Sequence, residues 1–386
     1  MIDRNVMFET ERLILRPWEE ADAQALFKYA SDPAVGTAAG WPPHTSVEMS
    51  RTVIRDVFSV PETYAIVLKE SGEPIGCCGI VPQHYRNDNK FNDNEAELGY
   101  WLARPFWGLG LTPEAMDVLI THVTCTLGKS RLWIGFFDGN LQSQRVAEKC
   151  GFKPDHTVFD TEYGKTEHFY LLEPDRSEVS AELRRYVESE IIPRYSYFDK
   201  AHREDHANTV INRSLMLCDR IPGLRRDMVY AVAAFHDTGL CNGRERHHID
   251  SAVILSSDPF ILSHFSKPEI AIMADAVEDH RASNGIKPRN RYGLVVAEAD
   301  RLIDPETIVR RTVQYGLSHY PDLDRNGHYH RTLQHLKEKY APGGYLKIWI
   351  PWSDNAIRLK ELHALIADED SLFRVFSRIF DEETTA

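Results

Sequence analysis

The pattern of apolar and polar residues changes character near residue 175 of this 386-residue chain. Before that point the apolar runs are short, and residues 11–16 alternate polar with apolar side chains, which is typical of a half-buried strand. Two further runs around a Ser-Gly-Glu-Pro turn predict a hairpin over residues 64–81. The other elements predicted here are strands at 95–102 and 131–137, helices near 19–31 and 46–58, and a helix that starts at Asn140 and ends at Gly151.

After about residue 177 the strand pattern stops, and the chain reads as helical from Val179 onward. A chain of 386 residues is too long for one typical hydrophobic core. No long linker lies between the two patterns, and the sequence contains no internal repeat. We therefore predict an α/β domain over residues 1–176 and an all-helical domain over residues 177–386, and we expect the two to touch.

Composition narrows the class of protein. An apolar content of 42% and a charged content of 27% are typical of a globular protein, and the formal charge of −13 argues against a broad nucleic-acid surface. The first residues lack the pattern of a signal peptide, and no apolar run reaches the roughly 18 residues of a membrane span. The six cysteines form no CxxC pair, which favours free thiols. We expect a cytoplasmic protein without membrane partners.

A glycine-bearing loop opens a predicted helix after the strand at 95–102. Gly108 and Gly110 carry no side chain that would obstruct a ligand, and Thr112 followed by Pro113 predicts the helix cap and first helical residue. Free backbone N–H groups and the helix dipole converge at such a place, so it suits a pyrophosphate. An ordinary tight turn between strand and helix is the alternative.

Two motifs extend this observation. The run PFWGLGLTPEA at residues 105–115, preceded by GYWL, is followed by N-x-x-S-x-x-V-A-E-K-C-G-F at residues 140–152. Together they resemble the GNAT acetyltransferases, including the branch that acetylates ribosomal-protein N-termini, over about residues 8–173. The resemblance implies an α/β fold with a mixed, mostly antiparallel sheet. It also implies that acetyl-CoA is bound around the loop residues Trp107, Gly108, Leu109, Gly110, Leu111 and Thr112.

The same resemblance implies the groups nearest the chemistry. Asn140 and Ser143 lie near the pantetheine and the reacting thioester, with Ser143 as a catalytic residue. Glu97 matches the general base that takes a proton from the amine of a small molecule or peptide. A solvent-facing polar residue is the alternative for Glu97. Leu109 departs from the family, because relatives commonly carry lysine or arginine there.

The helical half contains an ordered series of histidines and aspartates. His236 and Asp237 follow the apolar run 228–235, His206 lies upstream, and His280 and Asp300 lie downstream, with the run HHID at 247–250 between them. This order resembles the HD superfamily of metal-dependent phosphohydrolases over about residues 180–385.

That second resemblance implies a metal centre. His206, His236, Asp237 and Asp300 make a site for one divalent ion, and His247 and His280 add a second ion with Asp237 bridging the two and acting in catalysis. His247 is preferred because Ser251 leaves room beside its ring, with His248 in reserve, and His202 is not expected to be a ligand. The mixed ligand set suits Mn, Fe, Zn or Mg.

The two halves together predict a bifunctional enzyme, an acetyl-CoA-dependent N-acetyltransferase joined to a phosphohydrolase that acts on a phosphorylated small molecule or nucleotide. Two alternatives remain open. In the first alternative, the helical half is a nucleotide-sensing module that regulates the acetyltransferase. In the second, the first half binds acyl-CoA as a sensor without turnover.

Overall fold

A computed structural model describes residues 7–82, 91–161, 163–198, 202–281 and 285–385, with the side chains of residues 38 and 39 left aside. Clustering of contacts divides the chain into two units. The first comprises Met1–Asp175 together with Arg220–Gly223, and the second comprises Arg176–Asp219 and Leu224–Ala386.

One sheet organises the first unit. Its strands are β1 (Phe8–Glu9), β2 (Leu13–Pro17), β3 (Thr63–Leu68), β4 (Pro74–Ile80), β5 (Glu95–Leu102), β6 (Arg131–Phe137), β7 (Lys153–Asp160) and β8 (Lys165–Leu172). They pair in the order β1-β2-β3-β4-β5-β6-β8-β7 within the described residues. Only the pairing of β5 with β6 is parallel among these, so the predicted mixed, mostly antiparallel sheet is confirmed.

Helices cover this sheet because their apolar residues recur on one face. They are α1 (Ala23–Ala30), α2 (Pro33–Ala39), α3 (Val47–Val53), α4 (Leu111–Thr121) and α5 (Leu141–Lys149). In α1 the buried residues Ala23, Leu26 and Ala30 are three and four positions apart and pack into the same core as Leu15 and Ile66 of the sheet. The helices and the hairpin predicted for this half are therefore present.

The parallel pair β5 and β6 separates along its length. Its register pairs Glu95 with Arg131, Ala96 with Leu132 and Glu97 with Trp133, and the pairing then ends although both strands continue. Beyond Glu97 each strand remains bonded to its other neighbour, β4 or β8. A wedge-shaped opening in the sheet follows from this divergence.

The second unit is helical, as predicted. Its helices are α6 (Ala181–Tyr186), α7 (Glu204–Cys218), α8 (Arg226–Phe235), α9 (His247–Ser257), α10 (Pro259–His264), α11 (Lys267–Glu278), α12 (Arg291–Asp300), α13 (Pro305–His319), α14 (Arg325–Tyr340), α15 (Asp354–Ala367) and α16 (Glu369–Thr385). Every residue of α8 from Met228 to Phe235 is buried. A helix that is apolar on all sides is expected at the centre of a bundle, and α8 lies in the core formed with α7, α9, α11 and α12.

A separate core joins the last four helices. Val309 of α13, Leu336 of α14, Leu362 of α15 and Phe376 of α16 are fully buried in it. Among the described helices of the chain, none is both long enough and apolar enough to cross a membrane.

Candidate functional site

The start of α4 depends on two glycines with positive φ. Gly108 has φ +80° and Gly110 has φ +77°, a backbone conformation that residues with a Cβ rarely adopt. Gly110 occupies the cap and the helix begins at Leu111. The prediction that Thr112 caps the helix is therefore wrong, because the left-handed glycine already turns the chain two residues earlier.

Side chains from outside the loop hold it in place. The Arg12 guanidinium donates to the carbonyl of Leu109 at 3.0 Å and pairs with Glu114 of α4 at 2.6 Å. The Trp107 indole donates to the carbonyl of Leu102 at 2.6 Å. Burial raises the pKa of Glu114, but the hydrogen bonds from Thr10 and Arg12 outweigh burial. The pKa therefore lies below its ordinary value and the carboxylate stays charged.

A cavity of about 350 Å³ lies against this loop. Of the residues predicted to bind acetyl-CoA it is lined by Trp107, Gly108, Gly110, Leu111, Thr112, Asn140 and Ser143. Leu109 does not line it, and that residue is 56% exposed. Arg145 and Lys149 of α5 do line it, and the sequence reasoning missed both. Arg145 and Lys149 are four residues apart and so share one face of α5, and that spacing was the available signal.

The first turn of α5 connects the two motifs. The Asn140 carboxamide oxygen caps the helix by accepting from the Ser143 N–H at 3.1 Å. The Tyr100 hydroxyl of β5 donates to the Ser143 carbonyl at 3.1 Å. The start of α5 is thereby held against β5 at the wedge.

A second cavity of about 580 Å³ shares Tyr100, Trp101, Asn140 and Ser143 with the first. Glu97 lines this larger cavity and is only 3% exposed. It stands at the last paired position of β5 and β6. The alternative that Glu97 faces solvent is therefore wrong. Glu97, Ser143 and the glycine loop thus lie around two adjoining cavities.

In the second unit, His236 and Asp237 follow the end of the buried helix α8. One carboxylate oxygen of Asp237, Oδ2, lies 3.3 Å from His236 Nε2 and 3.6 Å from His206 Nε2. The other, Oδ1, lies 3.3 Å from His280 Nε2 and 3.4 Å from His247 Nε2. Asp237 thus stands between two pairs of imidazoles.

The remaining candidate residues differ in whether they lie beside these imidazoles or beside arginines. Asp300 Oδ1 lies 3.2 Å from His206 Nε2 and 3.9 Å from His236 Nε2. His248 instead lies 3.5 Å from the Arg281 guanidinium, and His202 lies 3.4 Å from that of Arg244. The structure therefore brings His247, rather than His248, to Asp237.

Backbone carbonyls set the orientation of three of these rings. The Nδ1 atoms lie 2.8 Å from Ala233 O for His236, 2.9 Å from Arg244 O for His247 and 2.5 Å from Val277 O for His280. An Nδ1–H that donates to a carbonyl leaves a lone pair on Nε2 of the neutral ring. These lone pairs face the oxygens of Asp237 across 3.3–3.4 Å.

Such facing acceptors repel unless a proton or a cation lies between them, so the donor set fits a divalent metal. Protons bound to the cluster remove part of this repulsion. Burial lowers the pKa of His206, but Asp237 and Asp300 raise it to about 9. Burial raises the pKa of Asp237, but the imidazoles of His236, His206 and His280 beside it hold that pKa well below the ordinary value.

Close backbone packing positions α9 beside this cluster. Gly239 donates its N–H to the Ser251 hydroxyl at 2.8 Å. A Cβ on Gly239 would lie 2.2 Å from the His247 carbonyl, so only glycine fits here. Tyr195 supports the other side, because its hydroxyl donates to the Ala234 carbonyl at 2.9 Å.

Comparison with known proteins gives matches in the first unit. Residues 12–153 match the family model described as an acetyltransferase (GNAT) domain. The N-acetyltransferase p20 of Bacillus licheniformis is 31% identical over 161 residues, which are 40% of this chain and 87% of that protein. YoaA of Bacillus subtilis, also named an N-acetyltransferase, is 27% identical over 39% of this chain and 84% of its own length.

Solved structures also align with part of this chain. The ribosomal-protein-S5-alanine acetyltransferase from Vibrio fischeri aligns over 45% of this chain and 100% of its own, with 18% identity and a TM-score of 0.37.

Proposed function

The chain belongs to the GNAT acetyltransferases, and on that premise we propose that its first unit transfers the acetyl group of acetyl-CoA to an amine at the junction of the two cavities. The observation that supports this is the shared wall formed by Tyr100, Trp101, Asn140 and Ser143. The glycine loop lines the smaller cavity and Glu97 lines the larger one. Donor and acceptor can therefore meet without either blocking the other.

Each group has a physical role in this proposal. The free N–H groups at the start of α4, together with Arg145 and Lys149, bind the phosphates of the donor. Beyond Glu97, the facing edges of β5 and β6 are unpaired with each other, which suits the amide-containing arm of CoA. Glu97 removes the proton from the ammonium group of the acceptor, which cannot attack a thioester while protonated. In this proposal the Ser143 hydroxyl donates to the thiolate of the departing CoA.

Release of CoA thiol, followed with a thiol reagent in the presence of a panel of amines, tests the first activity. Amine-dependent release of the thiol supports acetyl transfer. Calorimetric binding of acetyl-CoA without release in any arm favours the sensor alternative.

We propose a second activity for the second unit, metal-dependent hydrolysis of a phosphate ester or nucleotide. The observation that favours it is the arrangement of four imidazole Nε2 atoms around the two oxygens of Asp237. His206, His236 and Asp300 would hold one ion with Asp237, and His247 and His280 a second. Divalent ions at such a place neutralise phosphoryl charge and acidify bound water.

Phosphate release from a panel of phosphate esters and nucleotides, with Mn²⁺, Fe²⁺, Zn²⁺ or Mg²⁺ added in turn, tests this second activity. Metal-dependent release that is lost with a chelator and restored by the metal supports it. Tight nucleotide binding without release in any arm favours the regulatory alternative.

A further inference from the structure

Asp300 is the last residue of α12, and it would hold one of the two proposed ions, called the first ion from here on. The last carbonyls of an α-helix have no donor within the helix, so a buried helix end needs donors from elsewhere. Two side chains supply them here. The Arg301 guanidinium donates to the Ala297 carbonyl at 2.8 Å, and the Asn355 carboxamide of α15 donates to the Glu298 carbonyl at 2.7 Å.

Asn355 also contacts the chain that follows Asp300. Its side-chain oxygen accepts from the Ile303 N–H at 3.3 Å and from the Arg213 guanidinium at 2.8 Å. Arg213 donates in addition to the Arg301 carbonyl at 3.2 Å. Asn355 is only 1% exposed, so these bonds form in an interior where electrostatic contacts are strong. One carboxamide therefore holds the chain before and after Asp300.

Arg213 brings a second helix into this arrangement. It lies on α7 seven residues after His206, and seven residues are close to two helical turns, so both project from the same side of α7. His206 Nε2 lies 3.2 Å from Asp300 Oδ1. The helices α7 and α12 are thus joined at two places, by the candidate metal ligands at one and through Arg213 and Asn355 at the other.

The polar groups around Asn355 are costly to bury. The Ser353 hydroxyl donates to the Glu298 carboxylate at 2.6 Å, and these two residues are 2% and 1% exposed. A buried carboxylate loses its hydration, and well-packed apolar side chains in such a place are often at least as stabilising. Stability alone is therefore a weak reason for this polar cluster, whereas fixing the end of one helix in one orientation is a sufficient one.

From these contacts we infer that Asn355 is a positioning residue for the metal centre, which fixes the place of Asp300 beside His206 and thereby the affinity of the first ion. The inference rests on the proposed metal-dependent activity and adds to it a role for the last four helices, one of which carries Asn355. The second ion would be held by His247 of α9 and by His280, which follows α11. We therefore expect the two ions to respond differently to a change at Asn355.

Calorimetric titration of the metal-free full chain tests this role, with whichever of Mn²⁺, Fe²⁺, Zn²⁺ and Mg²⁺ binds the wild-type chain most tightly. Asn355→Ala is expected to weaken binding of the first ion by about 10–100-fold, the usual effect of removing a group that orients a metal ligand. Binding of the second ion should stay within about twofold of wild type, because its ligands lie on other helices.

Asn290→Ala is the matched control. Asn290 stands at the opposite end of α12, where its side chain accepts from the Gly293 N–H at 3.0 Å and donates to the Ile272 carbonyl at 3.0 Å. This change also removes a side chain that satisfies backbone groups of the same part of the fold. Urea unfolding of the metal-free proteins should show a loss of stability in both variants, whereas Asn290→Ala should retain the affinity of both ions.

Two double variants identify the ion that responds. His247→Ala should retain the first ion alone, and adding Asn355→Ala is expected to weaken that ion as it does in the wild-type chain. In Asp300→Ala the group to be positioned is gone, so adding Asn355→Ala should cause no further loss of affinity. Asn355→Asp keeps the size of the side chain but replaces the donor to Glu298, and the same loss is expected in it should Asn355→Ala not fold.

The outcomes separate the positioning role from the metal centre itself. If the Asn355 variants bind the first ion as tightly as wild type, or lose both ions equally, the positioning role is overturned while the metal centre stands. An additive loss in the Asp300→Ala background also overturns it. A wild-type chain that binds none of the four metals overturns both.

Discussion

Gly110 combines two properties at the start of α4. Its φ of +77° favours glycine, and it lines the smaller cavity at the start of α4, where backbone N–H groups suit an anion. Gly110→Asp is therefore expected to abolish acetyl-CoA binding in calorimetry, because the new carboxylate would oppose the donor phosphates.

Gly72→Asp is the matched control for that change. Gly72 has φ +68° and open space around it, so it incurs a similar backbone cost of about 1–2 kcal/mol without adding charge to the cavity. Loss of binding in both variants would show that strain, rather than charge, is responsible.

Glu97 gives a second test at the scale of a residue. Glu97→Gln keeps the size of a buried side chain but removes the base, so acetyl-CoA affinity should persist while kcat at neutral pH falls by about 10²–10⁴-fold. Glu95→Gln, two residues earlier on β5 and paired with Arg131, should retain turnover. Unchanged kcat in Glu97→Gln would remove Glu97 from catalysis.

The imidazoles around Asp237 provide a third test at the scale of a residue. Elemental analysis of the purified protein should show one or two divalent ions per chain and loss of most metal in Asp237→Ala and His236→Ala. If two ions bind, His247→Ala and His280→Ala should each remove one equivalent. His202→Ala and His248→Ala should retain both, because those rings lie against arginines instead. Equal, low metal content in all of these proteins would contradict the metal centre.

At the scale of elements, Glu62 links the loop before β3 to the turn after α4. It has φ +60°, which is unusual for a residue with a side chain, and it accepts from His122 at 2.8 Å and from the Tyr64 hydroxyl at 2.7 Å. The hydrogen bond from His122 lowers the pKa of Glu62 below its ordinary value. The carboxylate therefore stabilises the fold above the ordinary glutamate pKa, and this contribution is lost as pH falls through the lowered value.

Glu62→Gln is accordingly expected to lower the free energy of unfolding by about 1 kcal/mol at pH 7 and by less near pH 3. Urea unfolding at both pH values measures this difference. A penalty that grows on acidification would show that His122 does not stabilise the charged form.

Elements also show how far sequence reasoning reached. The strands at 95–102 and 131–137 were predicted with the bounds they have, because a short run rich in apolar and aromatic residues is a local signal. The cap at Thr112 was misplaced because a left-handed glycine competes with a threonine cap, and sequence does not decide between them. The separation of β5 and β6 was not predictable, since pairing register depends on distant neighbours.

The same distinction applies to the sites. The ordered series from His206 to Asp300 identified residues that the structure brings together, whereas the carbonyls that orient the rings come from backbone geometry. Arg145 and Lys149 were missed because exposed basic residues on a helix are common. Gly239 was not singled out, because the requirement for glycine at that position arises from the close approach of the α9 backbone.

At the scale of the whole molecule, each candidate site draws its residues from one unit, the first between Val35 and Phe169 and the second between His206 and Asp300. We therefore propose that residues 1–176 and 177–386 act as separate modules. Asp237→Ala in the full chain should leave acetyl-CoA affinity unchanged, and Gly110→Asp should leave metal content unchanged.

Expression of the two fragments extends this test. Each should be soluble, the first binding acetyl-CoA and the second retaining metal, as in the intact chain. A change in acetyl-CoA affinity of about 5–150-fold on removal of the second unit would instead reveal a coupling of 1–3 kcal/mol. An insoluble or metal-free second fragment would also contradict separate modules.

The separation of β5 and β6 has a consequence for how such a protein changes over generations. The opening between them is produced by main-chain geometry, so a substitution in a wall alters what fits without closing the space. The turn of the glycine loop depends on backbone geometry and tolerates little change, whereas the side chains that line the larger cavity can be exchanged one by one. Descendants of this chain should therefore diverge in the amine they accept long before they abandon the thioester they consume.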